Sequence, residues 1–197
     1  MFDFASRPLK NFLEKLGSCD PAPGGGGAAA VVIAQAAALA EMVARLNCRR
    51  SEKQGIKNPP SLKNIRPLAA IRRESLALLE RDAKIFSRLS KFKKEARGKA
   101  GYLRVLELAA GIPGRMCLLA ERGIVLAASE TSRTSRWLYS DLLESAIFFE
   151  AGFQAARLNV EVNLKEMPDK KRALRMTAGL SRISQRIKRI RKEIGEE

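Results

Sequence analysis

Apolar residues recur three and four positions apart along almost the whole chain, the spacing of one face of an α-helix. An opening helix is predicted from Arg7 to Leu16, with Pro8 in its first turn, Leu9, Phe12, Leu13 and Leu16 on one stripe, and Gly17 at its end. The next stretch, residues 21–46, reads PAPGGGGAAAVVIAQAAALAEMVARL. Two prolines forbid a helix there, four glycines free the backbone to turn, and from Ala28 to Leu46 almost every face is small or apolar. Such a helix must be surrounded by others. A polar loop is expected from Asn47, ending at Ser61 as N-cap, followed by a helix from Leu62 to about Lys94 with a bend near Pro67.

Another helix runs from about Tyr102 to Ala128, where Pro113 should kink or divide it. SETSRTSR, residues 129–136, is a turn rich in capping residues, and Trp137 to Leu164 again reads helical, although NVEVNL alternates locally like a strand. Pro168 breaks that segment. Asp169 caps a closing helix in which Ile183, Ile187, Ile190 and Ile194 repeat at four, three, four, with arginines and lysines on the outer face. The fold class is all-α: a bundle of five to six helices around a long alanine-rich central one, one domain over residues 1–197.

Composition narrows the chemistry. With 37 Lys plus Arg against 21 Asp plus Glu the formal charge is +16. That excess supports weak phosphate attraction but no dedicated nucleic-acid site, because the aromatics are not interleaved with the basic runs. Histidine is absent, which excludes histidine catalysis and histidine metal sites. Cys19, Cys48 and Cys117 are isolated and have no metal-ligand spacing, so a reducing, cytoplasmic setting is expected. The longest apolar run reads as too short and too weakly hydrophobic to span a bilayer, and no membrane partner is expected. No metal and no cofactor are expected.

Three polar features stand out. Gly24, Gly25 and Gly26 either let another element approach the backbone or leave N–H groups free for an anion at the helix start. The dinucleotide pattern is discarded because SCDPAP is not a strand. Asp82 lies among Leu78, Leu79 and Phe86, either ion-paired at the stripe's edge or desolvated into a general acid or base. Asp141 and Asn159 are 18 residues apart, five helical turns, with Asn163 about 40° further round. Polar groups so placed are either hydrogen-bonded to one another or line a cavity.

The segments FLEKLGSCDPAPGGG (12–26), EMV (41–43), ERDAKIF (80–86), IP (112–113), SD (140–141) and NVEVNLKEMPD (159–169) follow one another in an order that resembles the cyclodeaminase/cyclohydrolase family. The family comprises the C-terminal domain of formiminotransferase-cyclodeaminase and the single-domain bacterial methenyltetrahydrofolate cyclohydrolases. The resemblance implies an all-helical homodimer binding a reduced folate near the subunit interface, with tetrahydrofolate derivative as substrate rather than cofactor. It implies hydrolase or lyase chemistry at the N5–C–N10 bridge: a methenyltetrahydrofolate cyclohydrolase or a formimidoyltetrahydrofolate cyclodeaminase, the first favoured by the lack of an attached formiminotransferase domain. Asp82 takes the position of the acidic residue that activates water or shuttles a proton. Gly24, Gly25, Gly26, Asp141, Asn159 and Asn163 take substrate-binding positions. The basic surplus would attract the glutamyl tail. Altered loops, with Gly27 where a serine is common and TSRW before Ser140, leave as alternative a catalytically degenerate homologue serving as a dimeric binding or scaffolding protein.

Overall fold

The computed structural model describes residues 3–6 and 8–196, so the expected helix start at Arg7 lies outside the described residues. Among them are six α-helices and no strand: α1 Leu9–Leu16, α2 Gly25–Lys53, α3 Leu62–Leu89, α4 Ala100–Ala128, α5 Tyr139–Lys165 and α6 Lys170–Gly195. The alternating NVEVNL segment is the last turns of α5. Helix α2 packs between α3 and α5 and also touches α4, while α6 lies across α4 and α5.

Helix α2 takes this position because its side chains are small. Ala29, Ala30, Ala36, Ala37, Ala40 and Ala44 are completely enclosed. Facing glycines bring the helices closer still: a Cβ on Gly152 of α5 would lie 3.3 Å from the backbone nitrogen of Ile33, and one on Gly123 of α4 would collide with the Phe149 ring. Around this column Phe149, Phe153, Leu106, Met116 and Ile124 fill the core. Each contributes about 1.5–3 kcal/mol of burial energy.

Several boundaries differ from the sequence reading. Helix α2 continues through Asn47 to Lys53, where a loop was expected. Asn47 is buried and its amide donates to Glu130 Oε2 at 2.9 Å, so its polarity points inward. At 29 residues α2 is long and apolar enough to cross a membrane, contrary to the expectation, but most of its apolar window is buried by the other helices. Helix α3 ends at Leu89 rather than Lys94 and runs through Pro67. Ser61 does not cap it; its hydroxyl donates to Glu130 Oε2 at 2.6 Å. Asn64 also donates to this fully buried carboxylate, which thereby ties α2 and α3 to the turn after α4.

Pro113 neither divides α4 nor leaves it incomplete. Proline has no N–H for the carbonyl four residues back, which here is Ala109. Asn163 of α5 donates to that carbonyl at 2.9 Å. Asp169 caps α6 as expected, accepting the Arg172 N–H at 2.8 Å.

Candidate functional site

The prolines before α2 and the glycines of its first turn place that helix's start beside the second half of α3, and α5 ends on the other side. Between them is a cleft of about 390 Å³, lined by Pro21, Ala22, Gly24, Gly25 and Gly26, by Asp82, Ile85, Phe86 and Leu89 of α3, by Ala109 of α4, and by Asn159, Val162, Asn163 and Glu166. The Ala22–Pro23 peptide in the turn is cis.

At its centre is the Asp82–Gly26 contact. A Cβ on Gly26 would fall 2.6 Å from the Asp82 carboxyl carbon, so only glycine leaves room for the acid. Gly25 is less constrained, since its Cβ would meet the Asn159 amide at an ordinary 3.5 Å. Of the two readings of the glycines, close approach is what Gly26 shows, and the group that approaches is the carboxyl of Asp82. Removal from water disfavours its charged form and raises the Asp82 pKa to about 6. A carboxyl group with that pKa can both take and return a proton near neutrality.

The two asparagines use their amide nitrogens on the backbone. Asn159 Nδ2 donates to the Ala155 carbonyl at 2.8 Å, and Asn163 Nδ2 to the carbonyls of Ala109 and Asn159. Their orientation is fixed by these bonds, and their oxygens remain acceptors. Of the two roles the spacing left open, Asn163 takes the second: it lines the cavity, and its amide bonds main-chain carbonyls rather than the other polar side chains. The cleft contains two acids and two amides but no lysine or arginine. A separate groove lined by Arg81, Lys84 and Arg88 with Leu108 and Ile112 shares Ile85 with the cleft wall.

Gly24, Gly25, Gly26, Asp82, Asn159 and Asn163 are therefore brought together, but Asp141 is not. It lies in the first turn of α5, about 27 Å along the axis from Asn159. Five whole turns give the same direction, not proximity. Sequence reasoning missed Glu166, to which the Tyr102 hydroxyl donates at the cleft rim. The only sign of it was its place inside the NVEVNLKEMPD segment.

A family model described as formiminotransferase-cyclodeaminase matches residues 8–182. Among solved structures, the crystal structure of formiminotetrahydrofolate cyclodeaminase from Thermotoga maritima is similar over 98% of this chain and 99% of that one, at 25% identity and a TM-score of 0.81. No curated protein matches the sequence.

Proposed function

We propose, from the premise that this chain belongs to the formiminotransferase-cyclodeaminase family, that it is an enzyme of folate one-carbon metabolism whose cleft between α2, α3 and α5 holds the N5–C–N10 region of a tetrahydrofolate. The observation that carries this reading is the half-buried Asp82, seated against Gly26 with its pKa raised to about 6, in one cavity with Asn159 and Asn163.

In the cyclodeaminase reaction, N10 closes on the carbon of the protonated formimidoyl group, –CH=NH2+, while Asp82 takes the N10 proton. The same carboxyl then returns it to the departing nitrogen, which leaves as ammonia. In the cyclohydrolase reaction, Asp82 takes a proton from water as its oxygen bonds to the cationic methenyl carbon. It then returns that proton to N5 as the C–N5 bond breaks, and the new hydroxyl releases its own proton to solvent, leaving the N10-formyl product. Both need one carboxyl with a pKa near neutral and acceptors facing a positive bridge. The similarity to a cyclodeaminase favours the first. The acid-lined interior suits the cationic bridge, and the groove with Arg81, Lys84 and Arg88 suits the glutamate carboxylates at the other end of a folate.

The experiment follows the absorbance of methenyltetrahydrofolate. Wild-type protein should form it from formimidoyltetrahydrofolate or consume it faster than spontaneous hydrolysis, and Asp82→Asn should do neither. No acceleration of either reaction would overturn the enzyme reading and leave a folded, catalytically degenerate binding protein.

A further inference from the structure

Two carboxyl groups line the cleft, and the chemistry at the bridge uses only Asp82. The other, Glu166, caps the end of α5 while still in helical conformation, at φ −86° and ψ −8°. It therefore continues the face that carries the asparagines: Asn159, Asn163 and Glu166 follow one another at four and three residues, within about 60° around the helix. Asn159 lies beside Gly25, next to the Asp82–Gly26 contact. Glu166 comes seven residues later, about 10 Å further along the axis.

Glu166 is exposed, yet its carboxylate is held in place. The Tyr102 hydroxyl donates to Oε2 from a ring that is itself buried and stands edge-to-face with Phe92 at a centroid distance of 5.6 Å. Burial, and then the bond to Glu166, raises the Tyr102 pKa, so this hydroxyl stays a donor throughout the neutral range. The bond uses one of about four lone-pair positions and leaves both carboxylate oxygens able to accept. Among the described residues no lysine or arginine pairs with Glu166, although the chain carries 37 of them. The cleft rim thus presents an oriented pair of acceptors with no cation of the chain's own upon it.

Two oxygens so fixed match two N–H donors set side by side, and a tetrahydrofolate has one such pair. The pyrimidine half of its pterin carries the ring N3–H next to the exocyclic 2-amino group, both directed out of the same edge. The amino nitrogen lies about 7 Å from the bridge carbon and its acceptor about 3 Å beyond, a span comparable to the rise from Asn159 to Glu166. We infer that Glu166, oriented by Tyr102, reads the 2-amino-4-oxo edge of the pterin through two parallel N–H···O bonds, an assignment that rests on the folate reading of the cleft. The pterin then points toward the start of α4. The p-aminobenzoyl end leaves over Ile85, which the cleft shares with the groove of Arg81, Lys84 and Arg88.

The test compares 5-formyltetrahydrofolate, which needs no turnover to be bound, with its analogue carrying a carbonyl in place of the 2-amino group, by titration calorimetry on the full chain. The 2-carbonyl turns an acceptor toward Glu166, so wild type should bind the amino compound about 10- to 100-fold more tightly. Glu166→Gln, whose side-chain NH2 can donate to that carbonyl, should bring the two affinities within a few-fold or reverse their order. Tyr102→Phe should narrow the preference several-fold, and an unchanged ratio there overturns its part in orienting the carboxylate. A bond that only ties α5 to α4 would alter stability in both variants and leave the preference at its wild-type value, which overturns the inference.

Kinetics separate this assignment from the reading beneath it. Glu166→Gln should raise KM by more than it lowers kcat, because Asp82 is untouched. If wild type turns over a folate but shows the same preference as Glu166→Gln, the pterin assignment falls and the folate reading stands. If wild type neither binds 5-formyltetrahydrofolate nor turns over a folate, both fall together.

Discussion

The carboxyl group of Asp82 occupies the space that a side chain on Gly26 would fill. Gly26→Ala should therefore expel the acid, reducing turnover about as far as Asp82→Asn does, on the order of 10²-fold or more. Gly25→Ala, whose methyl meets the Asn159 amide at an ordinary distance, should stay within a few-fold of wild type. Steady-state kinetics on the pair checks this. Equal losses in both would show that flexibility of the turn, not room for the carboxyl, is what matters.

The raised pKa of Asp82 gives two pH dependences. Turnover that needs its ionised form should rise about tenfold per pH unit below about 6 and level off above it. Stability should move the other way. The folded pKa lies above the ordinary 3.8, so between about pH 4 and 6 the folded chain keeps a proton that the unfolded chain releases, and stability is lost as pH rises through that window. Asp82→Asn removes the penalty. In urea melts it should equal wild type near pH 4 and exceed it by about 1–2 kcal/mol above pH 7, a figure discounted for the group's partial exposure.

Asn163 and Pro113 should be coupled, since Asn163 satisfies the Ala109 carbonyl that Pro113 leaves without a donor. Asn163→Ala should cost about 1–3 kcal/mol in the wild-type background and about 1 kcal/mol less with Pro113→Ala, which restores the missing N–H. Additive losses in a double-mutant cycle would refute the compensation.

Glu130 is fully buried and accepts from Asn47, Ser61 and Asn64. Glu130→Ala should lower stability by about 3 kcal/mol or more, because three buried donors lose their acceptor together. At temperatures where the variant remains folded, folate turnover should be retained, since this cluster is not part of the cleft. A small loss in denaturant titration would mean that water replaces the carboxylate.

The helices and most of the lining of the candidate cleft were legible because both depend on local signals. Period 3.6 defines α3 through α6, and two prolines with four glycines mark the start of α2. Asp82 was identifiable as an acid among leucines. What escaped depended on partners far away in sequence. The polar letters from Asn47 to Lys53 resemble a loop until Glu130, more than seventy residues on, supplies an acceptor for Asn47. Pro113 resembles a helix breaker until Asn163 repairs the helix. Asp141 was grouped with Asn159 because angular periodicity says which way a side chain points but not how far along the axis it lies.

The alanine column of α2 also determines what the protein can tolerate by mutation. Alanine loses no rotamer freedom on folding, so the centre of the bundle is ordered at little entropic cost, and helix separations are set by main chain and methyl groups. The alanines themselves have no long side chain to fold aside when a larger neighbour is introduced. In a saturation library, Ala30, Ala37 and Ala44 should accept glycine or serine and reject larger residues irrespective of polarity, while the outward positions of α6 accept nearly anything. Sequence drift in this protein would then be channelled to its outer helices, with the innermost one held constant by volume alone.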